Sequence, residues 1–288
     1  MSRTGSVFHS LFVLLLMLGT APMAFAGDDW TDWVSPPWHK QPTIGLYYGP
    51  TRSYLEGISL APANTAVWEL FLGGTRITPR DSDATVLRYY YQYFSIANFN
   101  NDFGPSPAAT EPTTNIWRFA LGTRSGYGYQ FSDQPDGPAL MEYNGSDGAL
   151  SSVDIRSTPH GMADSALLYQ YEGSARFGTS VSGGLIFRVT PLISLDAGFQ
   201  RIVILRRLEF WPWLGSAILE GLLQEALNGF VDKIGKASPM AKPIAHFVLK
   251  NALSYGIYQL RKVNANTPFP SEAPLLLDTF KVGLSFTF

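Results

Sequence analysis

Hydrophobic and polar residues alternate along most of this chain. From position 280 onward, Phe280, Val282, Leu284, Phe286 and Phe288 take every second place, with Lys281, Gly283, Ser285 and Thr287 between them. A period of two puts the first set on one face of a strand and the second on the other. Within 167–189 the same rule sets Leu167, Tyr169, Tyr171, Phe177, Val181, Leu185, Phe187 and Val189 against Gln170, Glu172, Arg176, Ser182 and Arg188, with Ile186 as the exception. Within 117–131, Trp117, Phe119, Leu121, Tyr127, Tyr129 and Phe131 oppose Arg118, Gly122, Arg124, Gly126 and Gln130. Shorter runs do likewise: Ile44, Leu46 and Tyr48; Trp68, Leu70 and Leu72 against Glu69; Leu87, Tyr89, Tyr91 and Tyr93 against Arg88 and Gln92; Ile193, Leu195, Ala197 and Phe199 against Asp196 and Gln200. An eighth strand is placed within 139–157, where Val153 and Ile155 flank Asp154. An even count demands it more than its own residues do.

One greasy face crowded with aromatics, opposite a face of glycine and charge, is the signature of strands of roughly ten residues that cross a membrane as a closed barrel. A soluble sandwich would also alternate, but its exposed polar faces would be rich in Lys and Glu rather than Gly and Arg. The connections agree with an up-and-down order. Thr190-Pro191-Leu192 and the stretch from Thr78 to Asp83 read as short turns, and 98–114 and 158–165 as longer polar loops. Neither an internal repeat nor a linker divides the mature chain. The expected fold is all-β, a transmembrane antiparallel up-and-down barrel of eight strands spanning 43–288; ten strands remain open.

The segment 209–264 breaks this rhythm. Glu220, Gln224, Asn228 and Asp232 recur at i, i+4 amid Ile218, Leu219, Leu222, Leu223, Leu227 and Phe230. After Pro239 and Pro243, His246, Lys250 and Ser254 form a second polar stripe beside Ile244, Phe247, Val248 and Leu260. The pattern predicts an α-helical hairpin inserted between the last two strands. Its apolar sides need a partner. Trp211 and Trp213 read as interfacial anchors, so the hairpin is expected on the outer leaflet or over the barrel mouth; mutual packing of the two helices is the alternative.

Composition narrows the class. The chain has no cysteine and a net charge of −2, so an exported protein holds together without disulfides and lacks the basic footprint of nucleic-acid binding. Export is indicated by Arg3, the apolar run 11–18 and Ala24-Phe25-Ala26, which read as a signal peptide over 1–26. A helical anchor there is disfavoured, because the run is shorter than the roughly 20 residues of a span. Residues 27–42, with Trp30, Trp33 and Trp38, form a Trp-rich segment suited to the periplasmic interface.

The signal site, the hairpin from Phe187 to Phe199 and the ending Lys281-Val-Gly-Leu-Ser-Phe-Thr-Phe288 resemble small eight-stranded bacterial outer-membrane barrels of the OmpA-like and OmpW-like type. The resemblance implies residence in the outer membrane among lipid and lipopolysaccharide. It also implies that Phe280, Val282, Leu284, Phe286 and Phe288 are the signal read by the barrel-assembly machinery. The helical insertion departs from that pattern.

Parity places Glu69, Arg88, Arg118, Arg124, Glu172, Arg176, Arg188, Asp196 and Lys281 on the lumen side. Two readings follow: a cation-rich path for a small solute, or a salt-bridged core filling a narrow barrel, the second being favoured for eight strands. Signs of catalysis are thin. His160, Asp164 and Ser165 lie together in a loop, but neighbours so close in sequence form such groups by chance, and the His-x-Ser pattern of lipid A deacylases is absent. No metal or cofactor motif occurs. A structural, surface-interaction or passage role is therefore expected, with a lipid A-modifying acyl hydrolase or transferase as the alternative.

Overall fold

A computed structural model describes residues 40–58, 61–80, 83–132, 136–158 and 165–288. Eight strands close into one antiparallel barrel in which each pairs with its sequence neighbours and the first pairs with the last. They are β1 (Gln41–Leu55), β2 (Thr65–Arg80), β3 (Asp83–Asn100), β4 (Thr113–Gln130), β5 (Ala139–Ser157), β6 (Arg176–Arg188), β7 (Ile193–Ile204) and β8 (Leu275–Thr287). A short helix α1 (Ser165–Tyr169) lies before β6; helices α2 (Phe210–Ala237) and α3 (Lys242–Arg261), joined by a 3-10 turn at Pro239–Ala241, lie before β8. Closure leaves no sheet edge, which is the condition for β-structure in a medium without water.

The barrel has two unlike ends. Gln41, Phe288 and the β6–β7 turn gather at one, where Phe288 N–H bonds Pro42 O at 2.9 Å. All the long connections lie at the other, called here the loop end. The sequence reading placed 167–175 in a strand. The structure instead gives a helix and a turn there, and β6 begins only at Arg176.

Alternation then sorts inside from outside. On β1 the odd positions from Thr43 to Leu55 point inward and are buried, while Ile44, Leu46 and Tyr48 are exposed. On β8, Lys281 and Thr279 are buried as Phe280, Val282, Leu284 and Phe286 face out. A belt of exposed Leu, Phe, Val and Trp thus girdles the wall, including Trp117, Phe119, Leu121, Leu185, Leu195 and Phe199. Such a continuous apolar surface is stable against lipid and not against water. The chain is a membrane-spanning β-barrel.

Candidate functional site

The lumen is packed in three tiers. At mid-height three ion pairs join Arg118 to Asp147, Arg124 to Asp196 and Lys281 to Glu69, all fully buried. Neutral donors surround the carboxylates. Asp147 accepts from Ser180 (2.7 Å), Tyr93 (3.2 Å) and Gln200 (3.2 Å), and Asp196 from Tyr47 (2.8 Å) and Tyr143 (3.1 Å). Ser95 donates to Glu69 at 2.8 Å, and Lys281 to Gln200 at 2.5 Å. The Arg124 guanidinium lies 4.5 Å from the ring centre of Phe71 and 4.6 Å from that of Tyr143. Buried charges survive only when paired and hydrogen-bonded in this way.

Toward the turn end, Tyr47, Phe71, Tyr89, Tyr91, Tyr93, Met141, Tyr143 and Ile186 fill the cross-section. At the loop end the inward faces are aliphatic: Val67, Phe99, Ile116, Ile155, Ile202, Ile204 and Leu277 close around Leu168 and Tyr171, which enter from the β5–β6 connection. Tyr171 donates to Ala273 O at 3.0 Å, and Arg176 Nη1 donates to Arg206 O at 2.7 Å, tying the plug down. Burial pushes the Tyr171 phenol up to about 12, partly offset by Arg206.

Several expected lumen residues lie elsewhere. Arg88 is on the outer wall, in register with Thr78 and Tyr127, because Tyr89, Tyr91 and Tyr93 take the inward positions of β3. The tyrosines were assigned to lipid by their rings, but they face the lumen, where the Tyr93 hydroxyl donates to Asp147 and the Arg124 guanidinium lies 5.5 Å from the Tyr93 ring centre. Glu172 lies in the turn after α1, bridged to Val153, and so outside the barrel strands. Arg176 holds loop carbonyls at the mouth, while Arg188 keeps the inward parity expected of it, buried at the turn end, where it donates to Gly137 O (3.0 Å). Asp147 and Tyr143 were missed, since β5 hardly alternates in hydrophobicity, whereas Gln200 of β7 lies inward as its parity implied.

The reason is on its other face. The outward residues of β5 include Glu142, Asn144 and Ser146, and those of β4 include Thr123 and Ser125, a polar patch where lipid should be. The helical hairpin covers it. It does not cap the mouth, one of the places expected for it; the two helices pack on each other, the alternative, and run along the outer wall with their polar stripes buried. His246 Nδ1 lies 2.8 Å from Glu142 Oε1, and that same carboxylate oxygen accepts the Tyr127 N–H at 2.7 Å. Asn144 reaches Ser254 at 3.4 Å. Glu220 of α2 pairs with Arg261 of α3 at 2.8 Å, and Lys242 Nζ sits 4.2 Å over the Tyr127 ring. A polar cavity of about 30 Å³ lies in this seam, between Ser125, Ser146, Gln224, His246 and Lys250.

The Asn251 side chain sits directly on Gly183. A Cβ there would fall 1.8 Å from Asn251 Oδ1. The seam ends at Tyr129, whose hydroxyl donates to Met240 O near the turn end, and at Tyr258, whose hydroxyl donates to Asp278 at 2.6 Å near the loop end. The hairpin thus follows the wall for most of its height. Trp213 is buried against Phe177 and so joins hairpin to wall, unlike the anchor expected; Trp211 is 77% exposed. Trp30, Trp33, Trp38, His160 and Asp164 lie outside the described residues.

The outer side of the hairpin is apolar. Leu222 (63%), Phe230, Ile244, Val248 and Leu260 are exposed, and a groove of about 390 Å³ between α2 and α3 is lined by Leu219, Leu222, Leu223, Ile257 and Leu260. Neither helix is long and apolar enough to cross a membrane by itself. Their polar stripes lower the mean hydropathy, and the wall is what receives those stripes. Among the described residues no group of metal-ligating side chains converges.

No protein-family model and no curated relative matches the chain. Similar solved structures include Neisserial surface protein A, at 12% identity and a TM-score of 0.42, covering 86% of this chain and 97% of that one. Ail, the attachment invasion locus protein of Yersinia pestis, matches at 9% identity and a TM-score of 0.33, covering 87% and 99%. The outer membrane protein OprG of Pseudomonas aeruginosa matches at 8% identity and a TM-score of 0.26, covering 87% and 97%.

Proposed function

We propose that this chain is a non-conducting, non-enzymatic barrel of the bacterial outer membrane whose working surfaces are its outer wall and loop end, in a structural and surface-interaction role. The lumen carries the argument. Among the described residues the mid-height tier matches three cations to three carboxylates one to one, and Leu168 and Tyr171 stopper the tier above. Passage of a solute would require breaking buried pairs, each about 3–5 kcal/mol when one partner is lost. The matched charges support a core over a selectivity path.

Planar-bilayer recording of the folded protein tests this reading. A flat trace is expected across the voltage range in which porins conduct. Discrete steps that disappear when a tether fixes Tyr171 in place would overturn it. Mass spectrometry of lipid A from overexpressing cells covers the enzymatic alternative, for which an unchanged acyl pattern is expected.

A further inference from the structure

A row of charge crosses the outer wall just above the apolar belt. The strand register sets Arg52 of β1 beside Asp278 of β8, and Asp278 beside Arg201 of β7, all outward-facing. Ten residues separate Asp278 from Phe288, which at about 3.3 Å per residue and a tilt of about 40° is about 25 Å of height. That equals the apolar band of such barrels, so the row stands at the far interface, the one on the loop side. Long loops face outward from the cell, so this is the level of outer-leaflet headgroups.

The end of α3 adds a third cation. Lys262 Nζ lies 5.5 Å from the ring centres of both Tyr54 and Tyr258. Arg52 stacks 4.8 Å from Tyr54, and Arg201 4.8 Å from Tyr255. Asp278 is the single acid in the group, and it accepts the Tyr258 hydroxyl at 2.6 Å. Among the described residues none of the three cations has an ion-pair partner, whereas Arg261 and Arg206 nearby on the chain each have one. Aromatic faces hold the cations in place without neutralising them.

We propose that Arg52, Arg201 and Lys262 bind the phosphorylated headgroup of an outer-leaflet lipopolysaccharide, with its acyl chains lying down the wall past Phe280 and Phe199. This deepens the function proposed above and rests on its outer-membrane placement. The hairpin is part of the site, since Lys262 and the two tyrosines of α3 come from it. Arginine and lysine suit phosphate oxygens, and the belt directly below suits acyl chains.

The test is native mass spectrometry of the folded full-length barrel in neutral detergent, titrated with bis-phosphorylated lipid A. One tightly held lipid per barrel is expected. Each of R52Q and K262Q should weaken it about fivefold, and the triple variant R52Q/R201Q/K262Q about a hundredfold. Dephosphorylated lipid A should bind about as weakly as the triple variant holds the native lipid. The pair K233Q/K236Q, at the far end of α2, should change nothing. Equal binding by the triple variant, equal binding of dephosphorylated lipid A, or an equal loss in K233Q/K236Q would each overturn the site. Full displacement by millimolar inorganic phosphate would overturn the lipid assignment in favour of a simple anion site. Should the triple variant fail to fold, R52Q and K262Q at exposed and edge positions still decide the matter. Conductance recording is independent of this result, so either reading can fail alone.

Discussion

His246 of α3 and Glu142 of β5 meet at 2.8 Å across the seam between hairpin and wall, both almost fully buried. The Glu142 carboxylate also accepts the Tyr127 N–H, so one side chain serves the sheet and the helix together. His246→Leu leaves this carboxylate with one bond fewer in a buried interface, a cost of about 3 kcal/mol. The barrel ladder does not depend on His246, so the loss should fall on the hairpin. Hydrogen exchange of α3 amides is expected to rise about a hundredfold while β1 and β8 keep their protection. Uniform change in all elements would show that hairpin and barrel unfold as one.

The lipid-facing side of the hairpin makes the opposite prediction. Leu222 and Val248 are exposed at mid-helix, where a water-bathed helix would accept lysine almost without cost. Against the bilayer midplane a lysine costs about 2–4 kcal/mol. Folding titrations of Leu222→Lys and Val248→Lys in lipid vesicles should show that loss. Val263→Lys, just past the end of α3, should show about 1 kcal/mol or less. Equal tolerance at all three positions would place the hairpin outside the bilayer.

Much of this architecture is legible in the residues, and the exceptions share a cause. β8 from Phe280, β6 from Leu185 onward and β4 as far as Leu121 have one neighbour on each side, lipid and lumen, so their alternation is clean. β5 has a third neighbour. Its outward Glu142, Asn144 and Ser146 meet the polar stripes of α2 and α3, and alternation disappears where both faces are polar. The same seam explains the hairpin, whose polar stripes were legible at i, i+4 but whose direction was not. A stripe of Glu, Gln, His and Lys normally marks the wet side. In lipid the rule inverts, and the polar side is the buried one. The β3 tyrosines were misassigned for a related reason: a phenol is apolar enough for the belt and polar enough for the lumen, and only the register of β3 against β2 and β4 decides.

Inside the lumen, Asp147 has the most donors of any group, receiving Arg118, Ser180, Tyr93 and Gln200. Asp147→Leu strands the Arg118 guanidinium and should destabilise the barrel by about 3–5 kcal/mol. The double replacement Asp147→Leu with Arg118→Met removes both charges and should recover most of that loss. Urea midpoints of the two variants in lipid vesicles measure the difference. A double variant as weak as the single one would mean that Ser180, Tyr93 and Gln200, not the ion pair, carry the tier.

The plug offers a switch in alkali. Tyr171 is fully buried at the loop end with its phenol pushed up to about 12, chiefly by burial. A group whose folded pKa exceeds its unfolded value near 10 contributes its full stability below pH 10 and loses it progressively between about pH 10 and 12. Within that window the phenolate is disfavoured among Leu168, Ile202 and Leu275, so the β5–β6 connection should leave the lumen before the strands part. Limited proteolysis within 165–175 should therefore accelerate from pH 9 to pH 11 while the barrel stays folded by its circular dichroism. Tyr171→Phe keeps the ring and removes the titrating group, and it also gives up the bond to Ala273 O. Its cleavage should begin slightly faster at pH 9 and then stay nearly flat. An equally steep rise in Tyr171→Phe would assign the transition to another residue of the loop end and would leave the phenol as packing alone.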